Sequence, residues 1–335
     1  MESIKEIFDE FNLKGYFSIL QATLFTEKAL TILDDYDETI SSVRRDAIEL
    51  AMKIIDSQST GSIKNYYDYA ITFARVSEYD ISCEIFDCGL KRYPRSVDLL
   101  AGYLICSINS SKIEHYNKSV VIYKKLLTMR PRLWNWRAYD FSISYLLDKT
   151  KRDSDKDLDD IYKECLELAH EFQKREPNNE LSYVLECDVY FTFQEKNKSV
   201  NLLKRVMKRK NINIVRIGIS LAEVYMYDNQ PLKANECLNR VMVNITNPSV
   251  NITPTYAYIL LITSKAAQFI GNKYSEKSKN NDVLIDQKIL VQQILDDWKN
   301  VKKISNIDER HIIKSTQNIV NFIEVISGIS ADDEL

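Results

Sequence analysis

Chemistry in this chain would have to reside in three histidines, six cysteines, scattered carboxylates and two basic runs. His115, His170 and His311 stand far apart, and none has a ligand or base at metal-site or triad spacing. They read as solvated or structural histidines. Cys83, Cys88, Cys106, Cys165, Cys187 and Cys237 form no Cys-x-x-Cys pair, and each falls inside an apolar helical pattern. Such thiols act as small buried hydrophobes, and nothing designates a Cys–His pair for nucleophilic catalysis. No glycine-rich phosphate loop occurs, and seven scattered glycines could not build one. The carboxylates fall on solvated faces. The expectation is a chain with no catalytic residue, no metal and no cofactor.

The basic runs point to binding instead. Residues 129–139, MRPRLWNWRAY, interleave arginines with aromatics. That suits cation–π contact or the stacking of a base. The plainer reading puts Trp136 and Tyr139 in the core while the arginines snorkel. Trp134, two residues earlier, falls on a different helical face and is expected at a binding lip. The run Lys204–Lys210 lies at a helix end, where positive charge complements the dipole. A nucleic-acid or acidic-partner contact is the alternative there.

Composition limits what can carry these residues. Of 335 residues, 45% are hydrophobic and 28% charged, enough apolar mass for a large core. Lys and Arg number 45 against 48 Asp and Glu, a net charge of -3. That disfavours a general polyanion binder but not a local basic face. Seven Gly and six Pro are about a third of the usual share. A hairpin-rich β protein and a nucleotide-binding α/β protein both need more. The class expected is all-α.

Residues 63–95 hold two helical patterns either side of the polar turn Ser77–Asp80. The first carries Tyr66, the pair Tyr69-Ala70, and Phe73. The second carries Ser82, Phe86, Gly89 and a closing Pro94. Small residues let two helices approach, large ones fill the gap to the next pair, and proline ends the ladder. The order recurs near 97–131, with Leu100, Tyr103-Leu104, Ser119, Tyr123, Leu126 and Pro131. It recurs again near 133–177, with Trp136, Tyr139, Ile143, Cys165, Ala169, Phe172 and Pro177. The fourth copy, 180–212, has Tyr183, Glu186-Cys187, Tyr190, Ser199, Leu203 and Val206, without the proline. The fifth, 215–247, has Leu221-Ala222, Tyr225, Ala234, Leu238 and Val241. Five copies at near-constant spacing mark a helix-pair solenoid. They resemble the tetratricopeptide repeat (TPR) family; the half-TPR variety of RNA-processing proteins stays open.

The organisation expected is a helical N-terminal cap over 1–60, five degenerate TPR-like pairs over 63–247, and C-terminal helices over 252–330 that cap an α-α superhelix. A charged mobile loop is expected at Asp148–Asp160, and a polar linker at Asn272–Asp282. No basic-then-apolar leader opens the chain and no run of 18 apolar residues occurs, so a cytoplasmic protein without membrane contact is expected. The sequons at Asn244 and Asn251 and the closing DDEL are read as accidents.

The resemblance implies partner binding on the concave face lined by first helices. It places the groove at Tyr67 and Ile71, at Ala101 and Ile105, at Arg137, Phe141 and Tyr145, at Val184, Asp188 and Phe191, and at Ile219, Glu223 and Tyr227. Chaperone-binding relatives carry Lys and Asn there to clamp a carboxylate, and this chain has apolar residues instead. An amphipathic helix, or a segment of the chain itself, suits such a groove. The binding set expected is Tyr67, Ile71, Ile105, Phe141, Tyr145 and Phe191, with Trp134 and Arg137 at the lip. The function implied is a non-catalytic scaffold, adaptor or regulatory subunit for a protein or peptide. A peptide-sensing regulator and an RNA-associated half-TPR protein are the alternatives.

Overall fold

The computed structural model describes residues 62–75, 78–152, 158–245, 254–273, 281–304 and 310–328. The expected cap over 1–60 lies outside the described residues. Among them there are thirteen α-helices and no strand. The chain divides into two compact units, one ending at Ile161 and one starting at Tyr162.

In the N-terminal unit the helices are α1 (Ile63–Arg75), α2 (Tyr79–Arg92), α3 (Val97–Ser107), α4 (Ile113–Leu127) and α5 (Trp136–Arg152). Sequence neighbours pack together, α1 on α2, α2 on α3 and α3 on α4. The first helices of successive pairs also touch, α1 on α3 and α3 on α5. This is the arrangement of stacked antiparallel pairs. Ser96 starts α3 by accepting a hydrogen bond from Leu99 N at 3.4 Å, and Asn135 stands before α5 and accepts from Ala138 N at 3.2 Å. Each satisfies one backbone N–H that a helix start leaves unpaired. Phe86, buried on α2, presses its ring onto α3 at Gly102. A Cβ there would sit 2.3 Å from the Phe86 Cζ, so only glycine admits the wedge.

The C-terminal unit holds α6 (Leu158–Arg175), α7 (Glu180–Thr192), α8 (Lys196–Val206), α9 (Ile214–Tyr227), α10 (Pro231–Ile245), α11 (Pro254–Lys273), α12 (Asn281–Ile304) and α13 (Arg310–Ser327). The same two rules hold: α7 packs on α8, α9 on α10 and α11 on α12, while α7, α9, α11 and α13 touch in turn. Two cores result, one across α7 to α11 and one shared by α11, α12 and α13. The repeat residues Phe86, Tyr123, Leu203, Ala222, Ala234 and Leu238 are all buried. Ile289 on α12 is exposed.

Turns within pairs also repeat. Gln194 and Asn229 both adopt positive φ, 62° and 54°. In each case the next N–H reaches back five residues, Glu195 to Tyr190 O at 2.7 Å and Gln230 to Tyr225 O at 2.8 Å. These are left-handed helix ends that usually take glycine. Polar links then join one repeat to the next at a nearly fixed separation. Ser111 N donates to Asp80 (3.0 Å, 31 residues apart), Lys118 to Asp87 (2.6 Å, 31), Lys196 to Asp228 (3.2 Å, 32), Asn235 to Gln268 (2.9 Å, 33) and Lys265 to Asp297 (2.6 Å, 32).

The expected loop at Asp148–Asp160 is shorter than the charge suggested. Helix α5 runs on to Arg152 and α6 begins at Leu158. Asp148 accepts from Arg152 Nε at 2.7 Å across one turn, an i,i+4 pair that favours helix over coil. The intervening 153–157 lie outside the described residues.

Candidate functional site

Three first helices bring their start positions together in the N-terminal unit. The Arg137 guanidinium on α5 lies 4.8 Å from the centre of the Tyr67 ring on α1. Its Nη1 donates to Asp98 Oδ1 on α3 at 3.3 Å, and Asn135 Nδ2 donates to the same oxygen at 2.9 Å. Tyr67 in turn packs edge-on against Phe86, ring centres 5.9 Å apart. Burial pushes the Tyr67 phenol up to about 12, against the pull of the Arg137 guanidinium. Residues four or seven places further on continue a helical stripe. Ile71 follows Tyr67, Ile105 follows Asp98, and Phe141 follows Arg137. All three are half-buried, so the stripe is apolar, partly open, and organised about one charged pair.

No family model matches the chain, and no curated protein matches it. Among solved structures the chain is similar to a thermophilic TPR protein of Thermus thermophilus, at 16% identity over 62% of this chain and 99% of that one, TM-score 0.46. It is similar to a tetratricopeptide repeat protein from Parabacteroides merdae, at 10% identity over 88% of this chain and 98% of that one, TM-score 0.47. It is also similar to human IFIT1, solved as a dimer with m7Gppp-AAAA, at 10% identity over 93% of this chain and 65% of that one, TM-score 0.46. By its own packing, stacked helix pairs with interlocking small and aromatic positions, the chain is TPR-like in fold.

Within this TPR-like frame the expected binding residues divide. Tyr67, Ile71, Ile105, Arg137 and Phe141 lie on the stripe just described. Trp134 does not stand at a lip. It is 2% exposed, packs at 5.1 Å on Tyr139, and its Nε1 donates to Leu126 O at 2.9 Å, closing the end of α4. Tyr145 is also core, 0% exposed, between Tyr116 and Tyr123. Eight residues from Arg137 make more than two turns, and the excess rotation carries Tyr145 off the stripe and onto α4. Trp136, expected inside, is 39% exposed and lies under Arg137 at 4.8 Å. Helical side chains lean toward the N-terminus, so the first residue of α5 points past the helix end. Phe191 belongs to the C-terminal unit, half-buried, 5.0 Å from the ring of the exposed Tyr227. Beside it, Tyr256 OH donates to Glu223, whose carboxyl burial holds above its usual range in spite of that bond.

Asp98 is the member that sequence reasoning missed. It lies one turn before Ala101 on the stripe already assigned to α3, so extending that stripe by a turn finds it. Two cations of the basic run at 204–210 are engaged within its own unit: Lys204 lies 5.7 Å from the Tyr225 ring, and Arg209 lies 5.1 Å from the Tyr183 ring while donating to its hydroxyl; Arg205, Lys208 and Lys210 are exposed.

Ser110 Oγ donates to Asp80 Oδ1 at 2.5 Å and stands 2.9 Å from His115 Nδ1. A triad requires the histidine between serine and carboxylate. Here the serine is in the middle, and Asp80 also accepts from Ser111 N and Oγ, so the cluster ties the α3–α4 turn to α2. Glu186, unlike the solvated carboxylates expected, is buried; it accepts from Gln173 at 2.7 Å and Tyr190 at 2.8 Å, with His170 at 3.3 Å, a satisfied internal carboxylate. Burial raises the thiols of Cys83, Cys165 and Cys237, and those of Cys106 and Cys187 to about 11 and about 12. They are protonated and unreactive at neutral pH. Among the described residues no group of three His, Cys, Asp or Glu could hold a metal ion, and no helix is long and apolar enough to cross a membrane.

Proposed function

We propose that this chain is a non-catalytic scaffold that takes up a segment of a protein partner along the first-helix stripe of its N-terminal unit. The observation that carries the proposal is the row of half-buried apolar side chains, Tyr67, Ile71, Ile105 and Phe141, set about the Arg137–Asp98 pair. A helix face that met only water would be polar, and a contiguous apolar strip marks an interaction surface. Arg and Tyr are also the residues that dominate binding energy. An amphipathic helix laid across the stripe would set its own apolar i and i+4 side chains against these residues. Arg137, the cation at the centre of the stripe, is paired with Asp98, which supports a protein over a phosphate backbone as the occupant of this surface. Reduced, buried thiols fit the cytoplasm.

The test compares proteins captured from the native host by the wild-type chain and by Phe141→Asp, quantified by mass spectrometry. Partners retained by the first and lost by the second, at equal melting temperature, support the stripe. Equal capture by both places the binding surface elsewhere.

A further inference from the structure

The second helices of the N-terminal unit carry a separate crevice that the stripe does not explain. It opens between α2 and α4, with α3 beneath, and encloses about 250 Å³. Its walls are the aliphatic side chains of Leu90, Leu100, Val121 and Ile122. Leu100 and Ile122 are buried, but Val121 is 66% exposed, between Lys118 and Lys125 on the solvent side of α4. Three lysines stand around the opening, Lys91, Lys118 and Lys125. Lys118 is tied to Asp87 at 2.6 Å. Lys91 and Lys125 have no carboxylate partner among the described residues. Both lie in the last turns of their helices, where a cation complements the dipole. The dipole accounts for a positive charge there. It does not account for an open aliphatic slot between the two charges.

We propose that this crevice binds an acidic peptide, inserting one of its aliphatic side chains between Leu90 and Val121 while flanking carboxylates meet Lys91 and Lys125. The charge around the slot selects the partner. A basic or neutral apolar segment would meet uncompensated cations, whereas carboxylates on either side of a leucine would pair with both. The volume suits one branched side chain rather than a whole helix face. This is a different surface from the first-helix stripe, and the two would let one unit hold two segments.

The test is fluorescence anisotropy on the full chain, with a labelled hexapeptide of two leucines flanked on each side by two glutamates. One control peptide replaces the leucines by serines and another replaces the glutamates by lysines. Saturable binding of the acidic leucine peptide is expected, at least about tenfold tighter than either control and weakening as salt is raised. Lys91→Glu with Lys125→Glu should weaken it at least about tenfold, and so should Val121→Asp. All three positions are exposed, so the variants should keep the wild-type melting temperature; Lys91→Gln with Lys125→Gln gives the same reading with a smaller charge change. Phe141→Asp should bind the peptide as the wild type does, which separates this site from the stripe. No saturable binding, equal binding of the serine peptide, or unchanged binding by the double lysine variant overturns the proposal.

Discussion

The Phe86 wedge can be tested by removing either side of it. Gly102→Ala adds a Cβ 2.3 Å from Cζ and 2.5 Å from Cε1 of the buried ring. Overpacking of this kind costs about 1–3 kcal/mol, while replacing glycine by alanine inside a helix returns about 1 kcal/mol. The net expected loss is therefore about 0–2 kcal/mol. Phe86→Ala alone should cost about 3–5 kcal/mol through transfer and cavity terms. With the ring gone, the three atoms nearest that Cβ go with it, and Gly102→Ala should stabilise by about 1 kcal/mol. The coupling between the two changes then equals the overpacking term, about 1–3 kcal/mol. Urea unfolding of the four chains measures it. Trp298→Phe as the common background leaves Trp134 and Trp136 as the fluorophores, both on the N-terminal unit. A coupling below about 0.5 kcal/mol, the range of simple additivity, would falsify the seating of Phe86 on Gly102, and with it the support beneath Tyr67.

Further outcomes follow from the polar links and turns. Lys265 and Asp297 form a pair with side-chain exposures of 8% and 13%; Asp297→Ala should cost about 3–5 kcal/mol by stranding the lysine, whereas Lys265→Met with Asp297→Leu should be neutral or stabilising in thermal unfolding. Burial raises the native Asp297 carboxyl above its usual value despite Lys265, so the native state holds this proton longer than the unfolded chain. Its contribution to stability should fall as pH rises from about 3.8 through the native value, and Asp297→Asn should remove that slope in a pH series of urea midpoints. Burial acts to raise Asp80 too, but hydrogen bonds from Ser110 and Ser111 together outweigh it and lower its value. Asp80→Asn should therefore be most destabilising above the unfolded carboxylate range, with the difference vanishing as pH falls through the native value. Gln194→Gly should raise the urea midpoint, the gain being about 0–1 kcal/mol once the left-handed penalty is set against glycine's chain entropy.

Pairs of helices were legible because small and aromatic residues interlock locally, within one or two helices of their own position. Phe86 and Ala234 could be assigned to the interior on that basis alone. The resemblance placed Tyr67, Ile71, Ile105 and Phe141 at groove positions, and all four are half-buried on first helices. It failed at Tyr145, where an interval of eight was treated as staying on the same face. Trp134 could not be read from periodicity at all, because it precedes α5 and its indole is fixed by a carbonyl at the end of α4. The length of α5 was hidden by its charge: Asp148 and Arg152 look like loop residues singly and are a helix-stabilising pair together. Asp98 was missed because the α3 stripe was begun at Ala101, one turn too late.

The polar links between repeats have a consequence for how the chain is made. Each joins residues 31 to 33 positions apart, so a repeat waits only for the next thirty-odd residues before its contacts are complete. At about 5–20 residues per second a ribosome supplies them within roughly 2–7 s, far longer than helices need to form and dock. Loop closure carries the same modest entropy at every step. Native contacts can thus be acquired one pair at a time as synthesis proceeds, and an emerging repeat need expose its apolar face only for the interval of a single successor.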